Sequence, residues 1–322
     1  MPCATIHMLT AGRALRDWQD RSARAPFSVH EKTLRRSFLL GAMGPDMGFV
    51  PGVDRLMSEL AHYISTGRLA RALLDEAETP RQRAFAWGWA THHVTDVEIH
   101  PLVGRACGEH LLGDRSIRLN SSEDCETHVA MEVGLDLVFL ATEPGIPEPA
   151  DEPLESAEEI AFLARALERT YGIRWDTDDL RASHATATGR TARWPRVLGM
   201  LGRARSFTPG WADGGVVRLL GRPLLSLAHS VAPSGSATAG FLRPLEPPDW
   251  LVDEVRNVAD GFARRFRVVV EDRMAGLEDR NLETGLLEFA PQDHPDSAKA
   301  RRRLLELQEG QTSKSYPSAA RA

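Results

Sequence analysis

The chain has 322 residues, of which 42% are hydrophobic, so it can bury the core of one large domain or two small ones. Its formal net charge of −6 disfavours a nucleic-acid partner, because proteins that bind nucleic acid usually present a basic surface. The three cysteines are widely separated, which excludes a disulfide framework and a CxxC zinc motif.

No apolar run reaches the roughly 20 residues that a membrane-spanning helix needs, so we expect no transmembrane segment. The first residues, MPCATIHML, lack the basic start of a secretory signal, and we expect a cytoplasmic protein. The segment 216–233 is apolar with two arginines. It suits a buried helix near the functional site or, alternatively, transient contact with a membrane.

Apolar residues recur at helical spacing along most of the chain. The predicted helices cover residues 1–20, 31–43, 53–77, 80–103, 122–141, 155–171, 177–205, 213–231 and 247–277. Gly and Pro punctuate the segment 41–52, which we expect to be a loop. Alternating strand patterns are nearly absent. The predicted fold class is therefore all-α, a multi-helix bundle whose functional groups face inward.

We expect one helical domain over residues 1–290. Its first half, 1–145, carries most of the chemistry, since eight of the eleven histidines lie at or before position 128. A proline-rich acidic stretch leads into a divergent helical half, 146–290. Residues 291–322 form a polar, charged tail, for which we expect a short helix at 297–308 and disorder beyond it.

Imidazole and carboxylate side chains recur at intervals of four residues in two of the predicted helices. The first set is His92, Asp96 and His100, and the second is His128 and Glu132. Residues four apart lie on one face of a helix, and zinc takes such nitrogen and oxygen ligands at about 2.0–2.2 Å. Burying these groups without partners would cost about 1–3 kcal/mol each, a cost that metal ligation removes. The spacing therefore predicts an inward-facing metal site.

The order of these motifs resembles the zinc-dependent phospholipase C family, whose fold is shared with the single-strand-specific zinc nucleases. The resemblance covers residues 1 to about 140, and it is the combined order that is specific. The matching residues are His7 in ATIHML, Asp46 in GPDM, His62 in ELAHYIS, His92 and Asp96 in HHVTD, His100 in IHP, and His128 and Glu132 in HVAME.

The resemblance implies two or three zinc ions, and iron or manganese could occupy the same nitrogen and oxygen ligands. The implied ligand sets are His62, His92 and Asp96 for one ion, His100, His128 and Glu132 for a second, and His7 with a bridging Asp96 for a third. It also implies that Asp46, on its glycine-flanked loop, is the general base that orients the attacking water. The alternative for Asp46 is a loop aspartate that caps the next helix.

The predicted function is hydrolysis of a small-molecule or lipid phosphoester by a phospholipase C-like phosphodiesterase. An alternative keeps the metals but makes the protein a lyase, a cyclase or a non-phosphate hydrolase acting on a small metabolite. A third hypothesis gives the metals only a structural role. It is disfavoured because structural zinc is closed off by four protein ligands, whereas seven or eight donors for two or three ions leave positions open.

Overall fold

The computed structural model describes residues 4–21, 25–154, 156–207, 236–292 and 294–315. Over these ranges the chain forms helices and loops without a β-strand, and its one isolated bridge joins Arg280 and Leu287. The predicted all-α fold class is confirmed. The predicted helix 213–231 lies outside the described residues.

The helices follow one another along the chain with mostly short connections. They are α1 (Ala4–Asp20), α2 (Lys32–Ala42), a 3-10 helix (Pro45–Phe49), α3 (Leu56–Tyr63), α4 (Thr66–Asp75), α5 (Pro80–Leu112), α6 (Cys125–Thr142), α7 (Ala157–Tyr171), α8 (Thr177–Thr191), α9 (Trp194–Phe207), α10 (Ser236–Leu242), α11 (Asp249–Glu271) and α12 (Pro295–Ser315). Within the described part of the chain, no helix is both long enough and apolar enough to cross a membrane.

Several helix boundaries differ from the predicted ones. The pattern 53–77 divides into α3 and α4 because Ser65 adopts a left-handed conformation, with φ of 49°, and its N–H donates to Glu288. The segment 41–52 contains the 3-10 helix, and the pattern 177–205 divides into α8 and α9. The helix expected at 297–308 is longer and buries Ala300 and Leu304. Apolar periodicity alone does not register such local breaks and extensions.

Helix α5 is the central element, and its start is set by a capping box between Thr79 and Gln82. It is buried along most of its length and ends at Gly113, whose φ is 70°. Pro101 lies inside it without ending it. The predicted end at residue 103 is therefore about two and a half turns short of the observed end at Leu112.

Two glycines let α2 lie against α5 with their backbones in contact. A Cβ atom on Gly88 would be 1.9 Å from the Phe38 carbonyl oxygen, and one on Gly41 would be 2.0 Å from the Phe85 oxygen. Any larger residue would separate the helices. This approach places the last carbonyl of α2, that of Ala42, beside the middle of α5.

Two apolar clusters complete the core. The larger includes buried aromatic residues of α1, α2, α5 and α7, among them Trp18, Phe38 and Phe162. The smaller joins α1 and α5 to α6 and α11 through residues such as Ile6 and Phe139. The polar residues described next lie on the helices that these clusters hold together.

Candidate metal centre

The eight site residues predicted from the sequence come from five separate elements and meet inside the helical bundle. They are His7 on α1, Asp46 on the 3-10 helix, His62 on α3, His92, Asp96 and His100 on α5, and His128 and Glu132 on α6. All are buried except His100, whose side chain is 15% exposed. The 33-residue helix α5 carries the central residues, and the other four elements supply the rest.

Asp96 lies at the centre of this group and is 1% exposed. Its Oδ1 atom lies 3.2 Å from Nε2 of His7 and 3.3 Å from Nε2 of His100. Its Oδ2 atom lies 2.9 Å from Nε2 of His92 and 3.4 Å from Nε2 of His62. One carboxylate therefore faces four imidazoles, the arrangement expected of a bridging ligand between cations.

Backbone carbonyls orient two of these rings. Nδ1 of His62 lies 2.8 Å from the Ser58 oxygen, and Nδ1 of His92 lies 2.9 Å from the Ala42 oxygen. We assign the proton to Nδ1 in both rings on this basis. Each Nε2 then presents a lone pair to the centre, as second-shell contacts of metal-binding histidines usually arrange.

The centre fits a cation for two further reasons. The Nε2 atoms of His62 and His92 are only 3.3 Å apart, so their lone pairs repel unless a positive charge lies between or beside them. In these tautomers neither oxygen of Asp96 receives a hydrogen bond within the described residues. A carboxylate buried without a donor is costly, and a bound cation removes that cost.

A second group lies at the α5–α6 interface. His128 Nε2 is 3.2 Å from Glu132 Oε1, and His100 Nε2 is 3.7 Å from the same oxygen. The ligand atoms of these three residues all lie within 4.8 Å of one another, close enough to bind one ion. This set coincides with the one that the resemblance implied for the second metal.

The other donors group differently from the implied sets. Ligand atoms converge in two sets that share His92, one with His7 and Asp96 and one with Asp46 and His62. Asp46 Oδ1 lies 3.4 Å from Nε2 of His62. The carboxylate of Asp46 is therefore near enough either to bind a cation itself or to hold a water molecule beside one.

Burial and mutual charge perturb the pKa values in the group. Burial, together with the neighbouring His92, lowers the pKa of His7 to about 3. Burial acts the same way on His62, but without a bound cation its contacts with Asp46 and Asp96 outweigh it and raise the pKa of His62 to about 10. A proton then takes the Nε2 position that a bound cation would otherwise occupy. For Asp96, burial acts to raise the pKa, yet His92 and His100 hold it well below its usual range. The carboxylates stay ionised and attract positive charge to the position a metal would take.

Comparison with known families agrees with this geometry. The sequence profile of the family described as zinc dependent phospholipase C matches residues 6–181, more than half of the chain. The chain belongs to this family. The matched range contains every one of the eight residues, and family membership makes the protein a metal-dependent, phospholipase-like hydrolase. No curated protein and no solved structure matches the chain.

Two other acidic residues of this phospholipase C family member, Asp136 and Glu98, form contacts between helices. Asp136 lies four residues after Glu132 but accepts hydrogen bonds from the Thr5 N–H and from Trp194 Nε1, both at 3.1 Å. Burial raises the pKa of Asp136 to about 8. Glu98 forms a two-pronged ion pair with Arg265, with N–O distances of 2.8 and 2.7 Å. Both side chains tie helices together, and neither belongs to a ligand group.

Three other histidines of the described residues, His93, His30 and His110, lie outside the ligand groups. His93 is buried, but it belongs to none of the three sets. His30 and His110 are exposed. Trp87 and Trp89 are buried in the core.

A cavity of about 200 Å³ opens beside His100 and His128. Its other lining residues include Gly104, Arg118, Asn120, Glu283, Thr284, Leu286 and Gln292. The match to the phospholipase C family ends at residue 181. The segment 283–292, about a hundred residues further along the chain, therefore forms one wall of the cavity next to the candidate metal-binding residues.

Sequence reasoning missed this wall. Glu283 is 5% exposed, its Oε2 lies 2.8 Å from Nε2 of the buried His294, and it accepts a hydrogen bond from the Ser121 N–H. Both residues belong to irregular chain without helical periodicity. Glu283 lies near the end of the predicted domain, and His294 lies in the predicted polar tail. No local signal marks them. Only the tertiary fold brings them to the site.

Proposed function

We propose that this protein is a phosphodiesterase that uses two or three zinc ions to hydrolyse a small-molecule or lipid phosphoester. The observation that carries the proposal is Asp96, a carboxylate with four imidazole nitrogens within 3.4 Å of its oxygens in the interior of the protein. Family membership supports a hydrolase, and the donor set supports several ions. A single ion would leave some of these buried donors without a partner.

The ligand roles follow from the three convergent groups. His100, His128 and Glu132 would hold one ion, while His7, His62, His92 and Asp96 would hold the others, with Asp96 between them. When bound, such ions lower the pKa of a water molecule toward neutrality and offset the negative charge that develops on the phosphorus oxygens. His100 and His128 line the cavity, so the phosphoester would enter from that side.

Asp46 is the proposed general base. Burial acts to raise its pKa, but the neighbouring His92 and His62 hold the pKa well below the usual range, so the carboxylate stays ionised and can accept a hydrogen bond from water. Its loop is firmly placed, because the Gly48 N–H donates to Ser58 Oγ at 2.6 Å. A carboxylate held in this way can orient a water molecule without reorganising during the reaction.

Arg118 is the proposed anion contact in the cavity. It is exposed at the mouth, and no other arginine or lysine lines the cavity within the described residues. A guanidinium suits a phosphate oxygen, since it donates two parallel hydrogen bonds.

Elemental analysis and turnover test the proposal together. We expect the purified protein to contain two or three zinc ions, His128→Ala to lose about one of them, and His92→Ala to lose more, because His92 belongs to two ligand groups. Both variants should lose hydrolysis of a soluble chromogenic phosphodiester by about a hundredfold or more. The matched control is His30→Ala, which removes an exposed histidine and should change neither quantity. Near-wild-type zinc in both site variants would refute the metal assignment.

One observation favours the second candidate, a lyase, cyclase or non-phosphate hydrolase acting on a small metabolite. The cavity of about 200 Å³ is below the usual size range of about 300–1,000 Å³ for small-molecule pockets, and a compact substrate would fill it. Full zinc occupancy with no turnover of any phosphodiester or phospholipid would favour this function over the first.

A further inference from the structure

We propose that two segments at the mouth of this cavity form a lipid-docking rim that seats the protein on a phospholipid bilayer. The rim consists of residues 111–119, at the end of α5 and in the loop after it, and residues 284–292, ahead of α12. The docking itself does not depend on the proposed function. Its purpose does, because docking would bring a lipid phosphoester to the cavity.

Exposed apolar side chains concentrate in these two segments. In the described part of the chain ten large apolar residues are exposed, and six of them belong to the rim. They are Leu111 (43% exposed), Leu112 (56%), Ile117 (39%), Leu286 (39%), Leu287 (46%) and Phe289 (83%). Single exposed apolar residues are ordinary, but several on segments that meet at one cavity mark a contact surface.

The rim is continuous with the cavity. Arg118 and Leu119 of the first segment and Thr284, Leu286 and Gln292 of the second line the same cavity that reaches His100 and His128. A surface pressed onto the rim therefore covers the entrance to the candidate metal centre. This continuity favours a bilayer as the occupant. When a bilayer lies on the rim, a lipid headgroup reaches the candidate metal centre by moving only the depth of the cavity out of the membrane surface.

Both segments are held in place, so their apolar side chains face water on an ordered backbone. The Leu282 N–H donates to the carbonyl oxygen of His62 at 2.7 Å, and the bridge between Arg280 and Leu287 closes the turn. On the other side, a Cβ on Gly108 would lie 2.1 Å from the Ile117 oxygen, so the loop lies directly on α5. Phe289 projects into solvent, and the guanidinium of Arg301 lies 5.4 Å from the centroid of its ring.

The charges of the rim are nearly balanced. Arg115 and Arg118 are accompanied by the exposed Asp114, while the side chain of Glu288 is only 3% exposed and is paired with Arg301. Arg115 also stacks on Trp250, with its guanidinium 3.7 Å from the ring centroid. Transfer of apolar side chains out of water should therefore dominate the binding, rather than attraction to anionic lipids. We expect attachment to bilayers of zwitterionic lipid and little weakening at high salt.

Sedimentation with vesicles of pure phosphatidylcholine, using the full metal-bound chain, tests the rim. The double variant Leu287→Gln with Phe289→Gln should bind the vesicles at least about tenfold more weakly, because two large side chains no longer enter the interface. The matched control is Val268→Gln, which changes an apolar residue of α11 that is 60% exposed and does not line the cavity. It should bind like the wild type.

Three results would overturn the rim. They are no sedimentation of the wild type with the vesicles, binding of the double variant as tight as that of Val268→Gln, and loss of wild-type binding at high salt. A concentration-dependent dimer that the double variant abolishes, without vesicle binding, would assign the surface to a second copy of the chain instead.

Turnover separates this inference from the proposed function. The double variant Leu287→Gln with Phe289→Gln, whose two positions do not line the cavity, should hydrolyse a soluble, monomeric phosphodiester within about twofold of the wild-type rate, while losing about tenfold or more on vesicles. Vesicle binding without any phosphodiester turnover would refute the proposed function and leave the rim intact. Turnover of the soluble substrate by a protein that does not bind vesicles would refute the rim alone.

Discussion

At the scale of single residues, the candidate metal-binding side chains could be identified from the sequence because they recur at helical spacing. His92, Asp96 and His100 occupy successive turns of α5, and a helix fixes their common face without help from the rest of the fold. Glu283 and His294 had no such regularity, so nothing in the sequence pointed to them. The pairing of donors between helices also depends on tertiary distances, which is why His92 joins two groups and not one.

The role of Asp46 can be decided by Asp46→Asn. If Asp46 orients water, the amide should keep the zinc content and the melting temperature but lower kcat by roughly 10²- to 10⁴-fold, since it is a much weaker proton acceptor. Zinc analysis, thermal melting and kcat for a soluble phosphodiester would be measured together. Asp54→Asn is the control, because Asp54 is a nearby exposed carboxylate that pairs with Arg303.

The distances allow another outcome for Asp46, because its Oδ1 lies within the ligand group of His62 and His92. Loss of about one zinc ion from Asp46→Asn would make it a ligand and remove it from the role of base.

At the scale of elements, helix type and order followed from periodicity, whereas contacts between helices did not. The apolar pattern predicted α2 and α5, but it gave no reason to expect their backbones to touch. Gly41 and Gly88 make that contact possible, and the contact brings the Ala42 oxygen to Nδ1 of His92 at 2.9 Å. The α2–α5 contact thus orients a metal-binding ring.

Gly88→Ala tests that contact. The new methyl group would lie 1.9 Å from the Phe38 oxygen, so α2 must move, and we expect a loss of about 1–3 kcal/mol in the free energy of unfolding. Zinc affinity should fall as well, because the Ala42 oxygen moves away from His92. Urea unfolding and zinc titration measure the two effects.

Gly189→Ala is the matched control for this change. Gly189 lies in α8 with no atom within 4 Å of its added Cβ, and alanine there should stabilise the helix by about 0.5–1 kcal/mol. Equal effects of the two substitutions would show that the α2–α5 approach is not tight.

At the scale of the whole molecule, the candidate metal centre connects parts of the chain that are distant in sequence. Its proposed ligands come from α1, the 3-10 helix, α3, α5 and α6, and the segment around Glu283 lines the cavity from the other end of the chain. The all-α class followed from periodicity, and the family followed from motif order. The cavity wall did not, because an irregular segment takes its conformation from the helices it packs on.

Since the ligands join five elements, removal of the ions should loosen the whole bundle and not one helix. A chelator would leave ionised carboxylates and close-set imidazoles buried without a cation, and a ligand present at about a thousandfold its Kd stabilises the folded state by about 4 kcal/mol. We expect the chelated protein to melt several degrees lower in a single transition and to recover when zinc is restored. His128→Ala, which lacks a ligand of one group only, should show a smaller chelator effect. An unchanged melting temperature after verified loss of zinc would mean that apolar packing alone holds these helices, and that the buried charges are compensated in some other way.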